Sequence, residues 1–435
     1  MALLLVLAGA AYAVIRIDIT APGRRLPIAV SDFSEEAGLP PGGEAGSPAG
    51  KELARIIRDD LEFTGLFQPL NSNAFVEPPT RPFNRGNWAM TGAEAVLKGS
   101  VVESAAAIKV SAYLYDMADG SVVSQKEYEA SKELLRPLAH SIAGEVYGRL
   151  TGEKSVFRTK TAFVVSGKRG RELFIADGDG ERPRSLGIRA TSILPPHWSP
   201  DGERLIYSAL KDGRWGIYLL NIREGKERLV HSSKGILIAG DFFPDGSGFA
   251  FSSSEQGSSA IYSYSFPGGG PASLSPSAGQ VRKLSSSSDI VVSPSVSPDG
   301  KLIAFVSDRG GNPQVYIMDS NGYNTKRLTF EGSYNTSPSW SPAGDRLAFV
   351  GRHAGKNQVF TVNTDGSDLR RLTGEGNSEE PSYSPDGRFI AFASDRKLPE
   401  RAGRKTVYIM RADGGGQRAI TPPELSASGP RWSPN

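Results

Sequence analysis

The sequence predicts a small α/β domain followed by an all-β propeller of six four-stranded blades. Three observations support this fold class. A segment built around Ser-Pro-Asp-Gly recurs six times in intact or altered form, neighbouring copies lie 43 to 54 residues apart, and short apolar runs follow the motif. The prolines of the six copies are Pro200, Pro244, Pro298, Pro342, Pro385 and Pro434. A period in the forties with several short strands per unit is typical of a β-propeller, with one blade per repeat.

Each repeat contains four predicted strands. The first ends at Ser-Pro, and Asp-Gly, which tolerates positive φ angles, then forms a tight turn into the second. Second strands are expected at residues 205–207, 249–251, 302–306, 347–350 and 389–393. A third strand and a shorter fourth strand follow, so each unit has the four strands that one blade requires.

The two ends of the array predict how the ring closes. Residues 161–165, 172–177 and 184–186 supply the second, third and fourth strands of a blade, but no first strand precedes them. The last motif, residues 432–434, supplies only a first strand. If this C-terminal strand completes the first blade, no sheet edge stays open at the seam. The predicted propeller therefore spans residues 154–435.

Residues 14–153 do not repeat and predict an α/β N-terminal domain. Apolar residues at helical spacing predict a helix over 51–65, and three successive strands are expected at 95–103, 109–116 and 121–130. A second helix is expected at 137–150, ended by Gly152, with His140 at its surface or boundary. A strand-helix-strand unit and a meander closed by a helix make a compact α/β domain.

Residues 1–13 have the pattern of a secretory signal peptide. Residues 2–10 are apolar, and Ala11-Tyr12-Ala13 has the small-x-small form of a cleavage site. No Lys or Arg precedes the apolar run, so a buried strand is the alternative. The run is shorter than the ~20 residues that a membrane span needs. We therefore expect a secreted protein with a cleaved signal peptide and no membrane span.

Composition argues against several classes of function. The chain has no cysteine, which excludes disulfides and thiolate chemistry. Its net charge is +3, from 50 basic and 47 acidic residues, and it has no long basic run, so nucleic acid is not an expected partner. The four histidines include no pair at metal-ligand spacing. No cofactor or metal is expected.

Because some peptidases contain similar propellers, an enzyme is one alternative. A hydrolase of that type usually has its nucleophilic serine in Gly-x-Ser-x-Gly, which this sequence lacks. A peptidase-like protein and a carbohydrate-binding propeller are the alternatives to a non-catalytic protein. Trp198, Trp340 and Trp432 could stack against sugars, but they recur at one blade position, which places them between neighbouring sheets.

Several segments resemble the TolB family of the Tol–Pal system. In the propeller they are residues 297–309 and 431–434, and in the N-terminal part residues 25–30, 95–99 and 157–160. The resemblance covers essentially the whole chain after the predicted signal peptide. It implies a monomeric, non-catalytic periplasmic adaptor that binds the lipoprotein Pal and the inner-membrane protein TolA. Such an adaptor supports outer-membrane integrity and constriction during cell division.

In this family Pal binds at one mouth of the propeller, on residues that we expect in loops just before the innermost strands. Rigidly held loop residues often form binding sites, although each could also be simply solvated. Ile238 and Val292 are apolar where relatives commonly have a histidine and a polar residue. The expected Pal contacts are His197, Ile238, Val292, Asn335, Thr336, Glu379 and Glu380.

The resemblance places the TolA contact at the start of the mature chain. An alternating strand at a chain end can add to the edge of a partner's sheet, and an edge strand of its own domain is the alternative. The segment departs from the family because Val14 replaces an acidic first residue. The expected TolA contacts are Val14, Ile15, Arg16, Ile17, Asp18, Ile19 and Thr20.

Overall fold

The structure, a computed structural model, describes residues 24–35, 47–269, 279–285, 289–398 and 403–435. The chain divides into two compact units, Met1–Arg158 and Thr159–Asn435. The predicted signal peptide (1–13) and the predicted TolA segment (14–20) lie outside the described residues. Among the described helices, none combines the length and the apolar character needed to cross a bilayer.

The N-terminal unit contains one mixed β-sheet. Its strands are β1 (Leu26–Val30), β2 (Ser34–Glu35), β3 (Phe67–Pro69), β4 (Ala95–Glu103), β5 (Ala107–Asp116) and β6 (Val122–Ser131). The order is β3-β1-β4-β5-β6, with β2 also paired to β4. β1 runs parallel to β3 and β4, whereas β4, β5 and β6 form an antiparallel meander. This is the predicted strand-helix-strand unit joined to a meander.

The helices of this unit are α1 (Pro48–Phe63), α2 (Arg85–Ala89) and α3 (Leu135–Thr151), and short 3₁₀ turns occur at Ser72–Ala74 and Lys132–Leu134. At the start of α1 the Ser47 hydroxyl accepts a hydrogen bond from the Gly50 amide at 3.0 Å. α3 ends at Gly152, whose φ of 78° is favourable for glycine. α1 and α3 bury their apolar residues in a shared core with the sheet.

The structure corrects the expectation for His140. This residue is 3% exposed, and its Nδ1 lies 2.7 Å from Oδ2 of Asp60 on α1. The spacing of apolar residues within α3 identifies the face that packs on the sheet. That spacing does not show that α1 lies beside α3 and covers a second face of α3. The contact between His140 and Asp60 was therefore not predicted from the sequence.

The segment between β3 and β4 covers the other face of the sheet with a small core around Trp88. A buried ion pair ties this segment to β4, since Lys98 Nζ lies 2.6 Å from Glu77 Oε1. The indole of Trp88 donates to the same Glu77 oxygen at 2.8 Å. Because both charges are buried, each depends on the other for compensation. The sequence analysis did not anticipate this pair.

The second unit is a six-bladed β-propeller with four strands per blade, as predicted. In order from blade 1 to blade 6, its innermost strands are Ala427–Trp432, Ser192–Ile193 with His197–Trp198, Leu237–Phe242, Val291–Val296, Asn335–Trp340 and Ser378–Tyr383. The second strands are Lys160–Gly167, Arg204–Lys211, Gly248–Ser253, Leu302–Ser307, Arg346–His353 and Phe389–Ser394.

The third and outer strands complete the blades in the same order. The third strands are Gly170–Asp177, Arg214–Asn221, Ala260–Ser265, Gln314–Asp319, Lys356–Asn363 and Thr406–Arg411. The outer strands are Arg184–Ala190, Lys226–Ser233, Gln280–Lys283, Lys326–Arg327, Arg370–Arg371 and Arg418–Ala419. All neighbouring strands within a blade are antiparallel.

The Ser-Pro-Asp-Gly motif forms the turn between the first and second strands of a blade. In blade 2 the Gly202 amide donates to the Ser199 carbonyl at 2.9 Å, and the Ser199 hydroxyl accepts from the Arg204 amide at 3.0 Å. Only the glycine has a positive φ, 69° at Gly202, while the aspartate does not. The serine therefore satisfies backbone donors that the turn leaves open.

The C-terminal strand closes the ring as predicted. Trp432 lies opposite Thr161 in an antiparallel pair, and the Ser433 amide donates to the Lys160 carbonyl at 2.8 Å. The indole of Trp432 donates to the Thr159 hydroxyl at 2.6 Å. This pairing leaves no open sheet edge at the seam.

The tryptophans of the repeat lie between blades, which confirms their expected packing role. Trp198 of blade 2 donates to the Arg431 carbonyl of blade 1 at 2.9 Å. Trp340 of blade 5 donates to the Ser295 carbonyl of blade 4 at 3.0 Å. These two indoles therefore join their blades to the innermost strands of the preceding blades.

Replacing the seam tryptophan should destabilise the propeller. We expect Trp432→Ala to lower the free energy of unfolding by about 3–5 kcal/mol, because it removes a buried aromatic side chain. Trp432→Phe keeps the ring and loses the indole hydrogen bond, so a cost of about 1 kcal/mol is expected. Urea unfolding of the full chain measures both values. A loss below 1 kcal/mol for Trp432→Ala would contradict the role of the seam.

Candidate partner-binding mouth and central channel

The innermost strands contain a β-bulge near the middle. In five blades the pairing register to the second strand shifts there by inserted residues, as between Val292 and Ser295 in blade 4. Four blades place a left-handed residue at the bulge, just before a proline: Ser293, Ser337, Glu380 and Gly429, with φ between 53° and 60°. The bulge divides each strand into a segment at the mouth and a segment deeper in the channel.

Blade 2 has Pro195 where four other blades have the left-handed residue, and its innermost strand is broken at this point. Proline holds φ near −65° and cannot adopt the left-handed conformation. The break therefore follows from the sequence of this one repeat.

The mouth segments place one residue per blade at a common level. In five blades this residue, the second of the strand, pairs with the same position of the neighbouring strand: Ile238 with Ser252, Val292 with Val306, Thr336 with Val350, Glu379 with Ala393 and Ser428 with Val164. Four of the predicted Pal contacts, Ile238, Val292, Thr336 and Glu379, are thus brought to one level of the propeller. All four are half-buried.

This arrangement corrects the expected location of the predicted Pal contacts, which lie within the innermost strands and not in the loops before them. These strands begin earlier in the chain than predicted, because the prediction did not allow for the extra residues of a bulge. Asn335 is 3% exposed, and its amide donates to Gln314 Oε1 and to the Glu331 carbonyl, both at 2.8 Å. It stabilises the strand and offers little surface to a partner.

The mouth differs in character between its two halves. On blades 3 and 4 the residues that begin or precede the innermost strands are aliphatic, and Ile236 and Ile290 are 52% and 58% exposed. We call Ile236, Ile238, Ile290 and Val292 the apolar mouth patch. On blade 6 the corresponding Glu379 forms an ion pair with Lys405 and accepts a hydrogen bond from Asn357 at 2.6 Å.

Glu380 lies at the bulge of blade 6 and connects two blades. Its Oε2 accepts a hydrogen bond from the Gly429 amide of blade 1 at 2.6 Å. This hydrogen bond joins the bulge of blade 6 to the bulge of the adjacent blade 1. Glu380 therefore has a structural partner on the inner side of the propeller.

Below the bulge, one residue per blade occupies the position three residues before the proline of the repeat. We call this set the channel ring; from blade 1 to blade 6 it consists of Arg431, His197, Asp241, Ser295, Ser339 and Ser382. These six residues line a common cavity of ≈ 210 Å³. Three consecutive blades have serine at this position, and the other three have ionisable residues.

Asp241 is the centre of a hydrogen-bond network in the ring. Its Oδ1 lies 2.7 Å from His197 Nδ1, and its Oδ2 accepts from the Ser295 hydroxyl at 2.6 Å and from the Val296 amide at 3.1 Å. Burial lowers the pKa of His197, which outweighs the opposite effect of the carboxylate. Burial raises the pKa of Asp241, but His197, Ser295 and Arg431 together hold that pKa below its usual value.

His197, Asp241 and Ser295 are the residue types of a hydrolase triad, but their connections differ from those of one. In a triad the serine hydroxyl is hydrogen-bonded to the second nitrogen of the histidine, which removes its proton. Here the Ser295 hydroxyl donates to the aspartate instead. Within the described residues, no hydroxyl is hydrogen-bonded to Nε2 of His197. This group is therefore arranged as a structural network.

Comparisons with known proteins agree with this architecture. Residues 147–435 match the family described as the TolB beta propeller domain, and residues 15–123 match the TolB amino-terminal domain. The chain belongs to the TolB family. The Tol–Pal system protein TolB of Bordetella pertussis is 30% identical over 314 residues, which cover 72% of this chain and 67% of that protein. The Bordetella bronchiseptica protein of the same name matches over the same extent at 30% identity.

A solved structure supports the same assignment for both units. The crystal structure of TolB from Acinetobacter baumannii matches this TolB-family chain with a TM-score of 0.80 and 27% identity. The match covers 95% of this chain and 98% of the Acinetobacter chain.

Of the six channel-ring residues, only His197 was predicted as a site residue from the sequence. A signal was available, because each ring residue stands three positions before the proline of its motif. Aligning the six repeats at that position shows three serines beside Arg431, His197 and Asp241. This position is serine in half of the blades and ionisable in the other half. Such a position differs from the residues that all blades share, and this difference makes it a candidate site.

Removing the ring histidine should change how stability depends on pH. An unfolded histidine binds a proton near pH 6.5, whereas the lowered pKa of His197 keeps it neutral to lower pH. The unfolded state therefore binds more protons as the pH falls from 7 to 5, and the wild-type protein loses stability. His197→Ser should reduce this slope by at most about 1.4 kcal/mol per pH unit in urea unfolding.

The exposed His353 provides the control for this measurement. His353→Ser leaves the channel ring intact, so the part of the pH slope that His197 causes should remain. Equal slopes for the wild-type protein and His197→Ser would show that the ring histidine does not have the environment described above. The depressed pKa of Asp241 adds stability that is lost only at more acidic pH, so the two residues act in different windows.

Proposed function

We propose that this protein is a non-catalytic periplasmic adaptor of the Tol–Pal system. It binds Pal through the propeller mouth and TolA through residues 14–20, and it thereby supports outer-membrane integrity and constriction during division. Among the structural features, the apolar mouth patch carries the proposal for Pal, because it is an exposed aliphatic surface on a rigid propeller of the TolB family. Membership in the family supplies the proposed system and compartment.

The mouth is suited to bind a folded partner. Exposed aliphatic residues that cluster on a surface mark interaction sites more often than isolated ones do. Ile236 and Ile290 occupy equivalent positions in adjacent blades, each directly before an innermost strand. The strands that follow them are paired with the second strands of their blades and packed against the next blade. Because the backbone is already held in place, little conformational entropy is lost when a partner binds.

One half of the mouth would supply affinity for the partner, and the other half would fix the orientation of the partner. The apolar mouth patch on blades 3 and 4 would bury aliphatic surface, which supplies the main favourable energy. Glu379 and Lys405 at the opposite side offer a charged pair that is partly exposed. Charges at the rim mainly fix the orientation of a partner and its association rate. We therefore expect Pal to place apolar side chains over blades 3 and 4.

The contribution of the patch can be tested with a double variant. Ile236→Asp combined with Ile290→Asp should weaken binding of the Pal periplasmic domain at least 100-fold, since buried anchor residues contribute about 2 kcal/mol or more each. Isothermal titration calorimetry with purified proteins measures this change. Both side chains are exposed, so the variant should fold normally.

Tyr323 supplies the matched control. It is 70% exposed and lies in the loop after the third strand of blade 4, on the face of the Ser-Pro-Asp-Gly turns and away from the mouth. Tyr323→Asp should leave Pal affinity unchanged within about twofold, because surface changes outside an interface have small effects. A loss of affinity in this variant with no loss in the double variant would place the Pal site on the opposite face.

The proposal for TolA rests on the alternation of apolar and polar residues in the segment 14–20. Ile15, Ile17 and Ile19 alternate with Arg16 and Asp18, which is the pattern of a strand with two different faces. Such a segment can pair with the edge of a partner's sheet through backbone hydrogen bonds. TolA binding and Pal binding would then use separate parts of the chain.

Deleting residues 14–20 separates the two activities. The deletion variant should bind Pal with unchanged affinity and should lose TolA binding in a pull-down with the periplasmic domain of TolA. A second variant replaces Ile15, Ile17 and Ile19 by serine. It keeps the length of the segment but removes its apolar face, so it should also lose TolA binding. Unchanged TolA affinity in both variants would contradict the assignment.

A further inference from the structure

We infer that the channel ring contains a binding site for a single carboxylate group, formed by Arg431, Ser382 and Ser339. The three residues come from blades 1, 6 and 5, which are consecutive around the ring. All three line the cavity of ≈ 210 Å³ that extends from the ring toward the Ser-Pro-Asp-Gly turns. This volume is well above the ~15 Å³ that one water molecule needs, so a small ligand group fits.

The guanidinium of Arg431 has unused donors. Its Nη1 donates to the Pro430 carbonyl at 2.8 Å and weakly to the Glu380 carbonyl at 3.5 Å. Among the described residues, Nε and Nη2 have no hydrogen-bond acceptor, and no carboxylate forms an ion pair with Arg431. Two parallel N–H groups of one guanidinium match the two oxygens of a carboxylate.

The neighbouring serines add donors on the same side of the ring. The Ser382 hydroxyl oxygen accepts from the Trp432 amide at 3.1 Å, so its proton is free to donate into the cavity. The Ser339 hydroxyl has no hydrogen-bond partner among the described residues, and it is half-buried at the cavity wall. A hydroxyl whose proton can rotate toward an anion complements the fixed fork of an arginine.

The opposite side of the ring does not offer a competing cation site. Both oxygens of Asp241 already accept hydrogen bonds from His197, Ser295 and Val296. A cation would have to displace these donors from the only carboxylate of the ring. Arg431 would also repel a cation placed in the same cavity.

The nearby charges determine what kind of anion fits. Burial lowers the pKa of Arg431, and the negative charges of Asp241 and Glu380 act in the opposite direction. Because these two carboxylates already offset the charge of Arg431, they would repel a dianion such as phosphate more strongly than a monoanion. A carboxylate supplies one charge and two oxygens, which matches the guanidinium fork and the two hydroxyls.

The carboxylate has two candidate sources, a free small acid and an acidic side chain of a bound polypeptide. The first experiment uses trifluoroacetate as the probe and ¹⁹F NMR line broadening as the readout, with the full mature chain. The wild-type protein should broaden the probe resonance. Arg431→Ser should weaken binding at least tenfold. This arm does not depend on the proposed function.

Matched variants test each part of the site. Arg431→Ser introduces the residue that three other blades have at this position, so the variant should fold, and its thermal unfolding checks this. Ser339→Ala with Ser382→Ala should also weaken binding, whereas Asp241→Ser should strengthen it by removing a negative charge. Arg282→Ser, on an exposed outer strand, should have no effect. Equal broadening by the wild-type protein and Arg431→Ser, or no broadening by either, would overturn the site.

A second arm identifies the source of the carboxylate and rests on the proposed function. The Pal periplasmic domain is added to the protein with bound trifluoroacetate. Release of the probe supports the site with an acidic side chain of the partner as its ligand. Retention of the probe supports the site with a free small carboxylate as its ligand. Failure of Pal to bind at all contradicts the proposed function but leaves the result of the first arm in force.

Discussion

The pairing of the last strand with the first blade is the constraint on which the rest of the propeller depends. Six blades form a ring only if the innermost strand of blade 1 comes from the C-terminus and pairs with Lys160–Gly167. The indole of Trp432 and the backbone of Ser433 secure this pairing with hydrogen bonds to the start of the propeller. The level of every mouth residue and every ring residue is set by this closure, because each blade is positioned by its neighbours.

A repeated scaffold makes departures from the repeat informative. Serine at the turn, glycine with a positive φ and an aromatic residue between blades recur because they build the blade itself. Positions that vary are free of that requirement. Two sets that vary between blades are the residues at the mouth, which are apolar on blades 3 and 4, and the residues of the channel ring. Both sets lie on the innermost strands, where side chains from six blades converge on one axis.

The prediction from sequence succeeded where the physical information is local or periodic. The strands, the Ser-Pro-Asp-Gly turns, the six blades and the closing strand all follow from spacing and from the two incomplete ends. It failed where long-range packing decides. The bulges moved Asn335 and Glu379 from expected loops into strands, and the burial of His140 against Asp60 depends on how two helices pack. Glu77 and Lys98 lie 21 residues apart, at no spacing that suggests a buried pair.

The links between blades make the channel and the mouth parts of one network. Glu380 accepts a hydrogen bond from the Gly429 amide at the bulge, and further along the same two strands the Ser382 hydroxyl accepts one from the Trp432 amide. Arg431 lies between these two contacts. The residue that would hold the carboxylate therefore stands two positions after Gly429, whose hydrogen bond to Glu380 joins blades 6 and 1 at the mouth. The proposed carboxylate site and the mouth of blades 6 and 1 are therefore built on the same two strands, Ser378–Tyr383 and Ala427–Trp432.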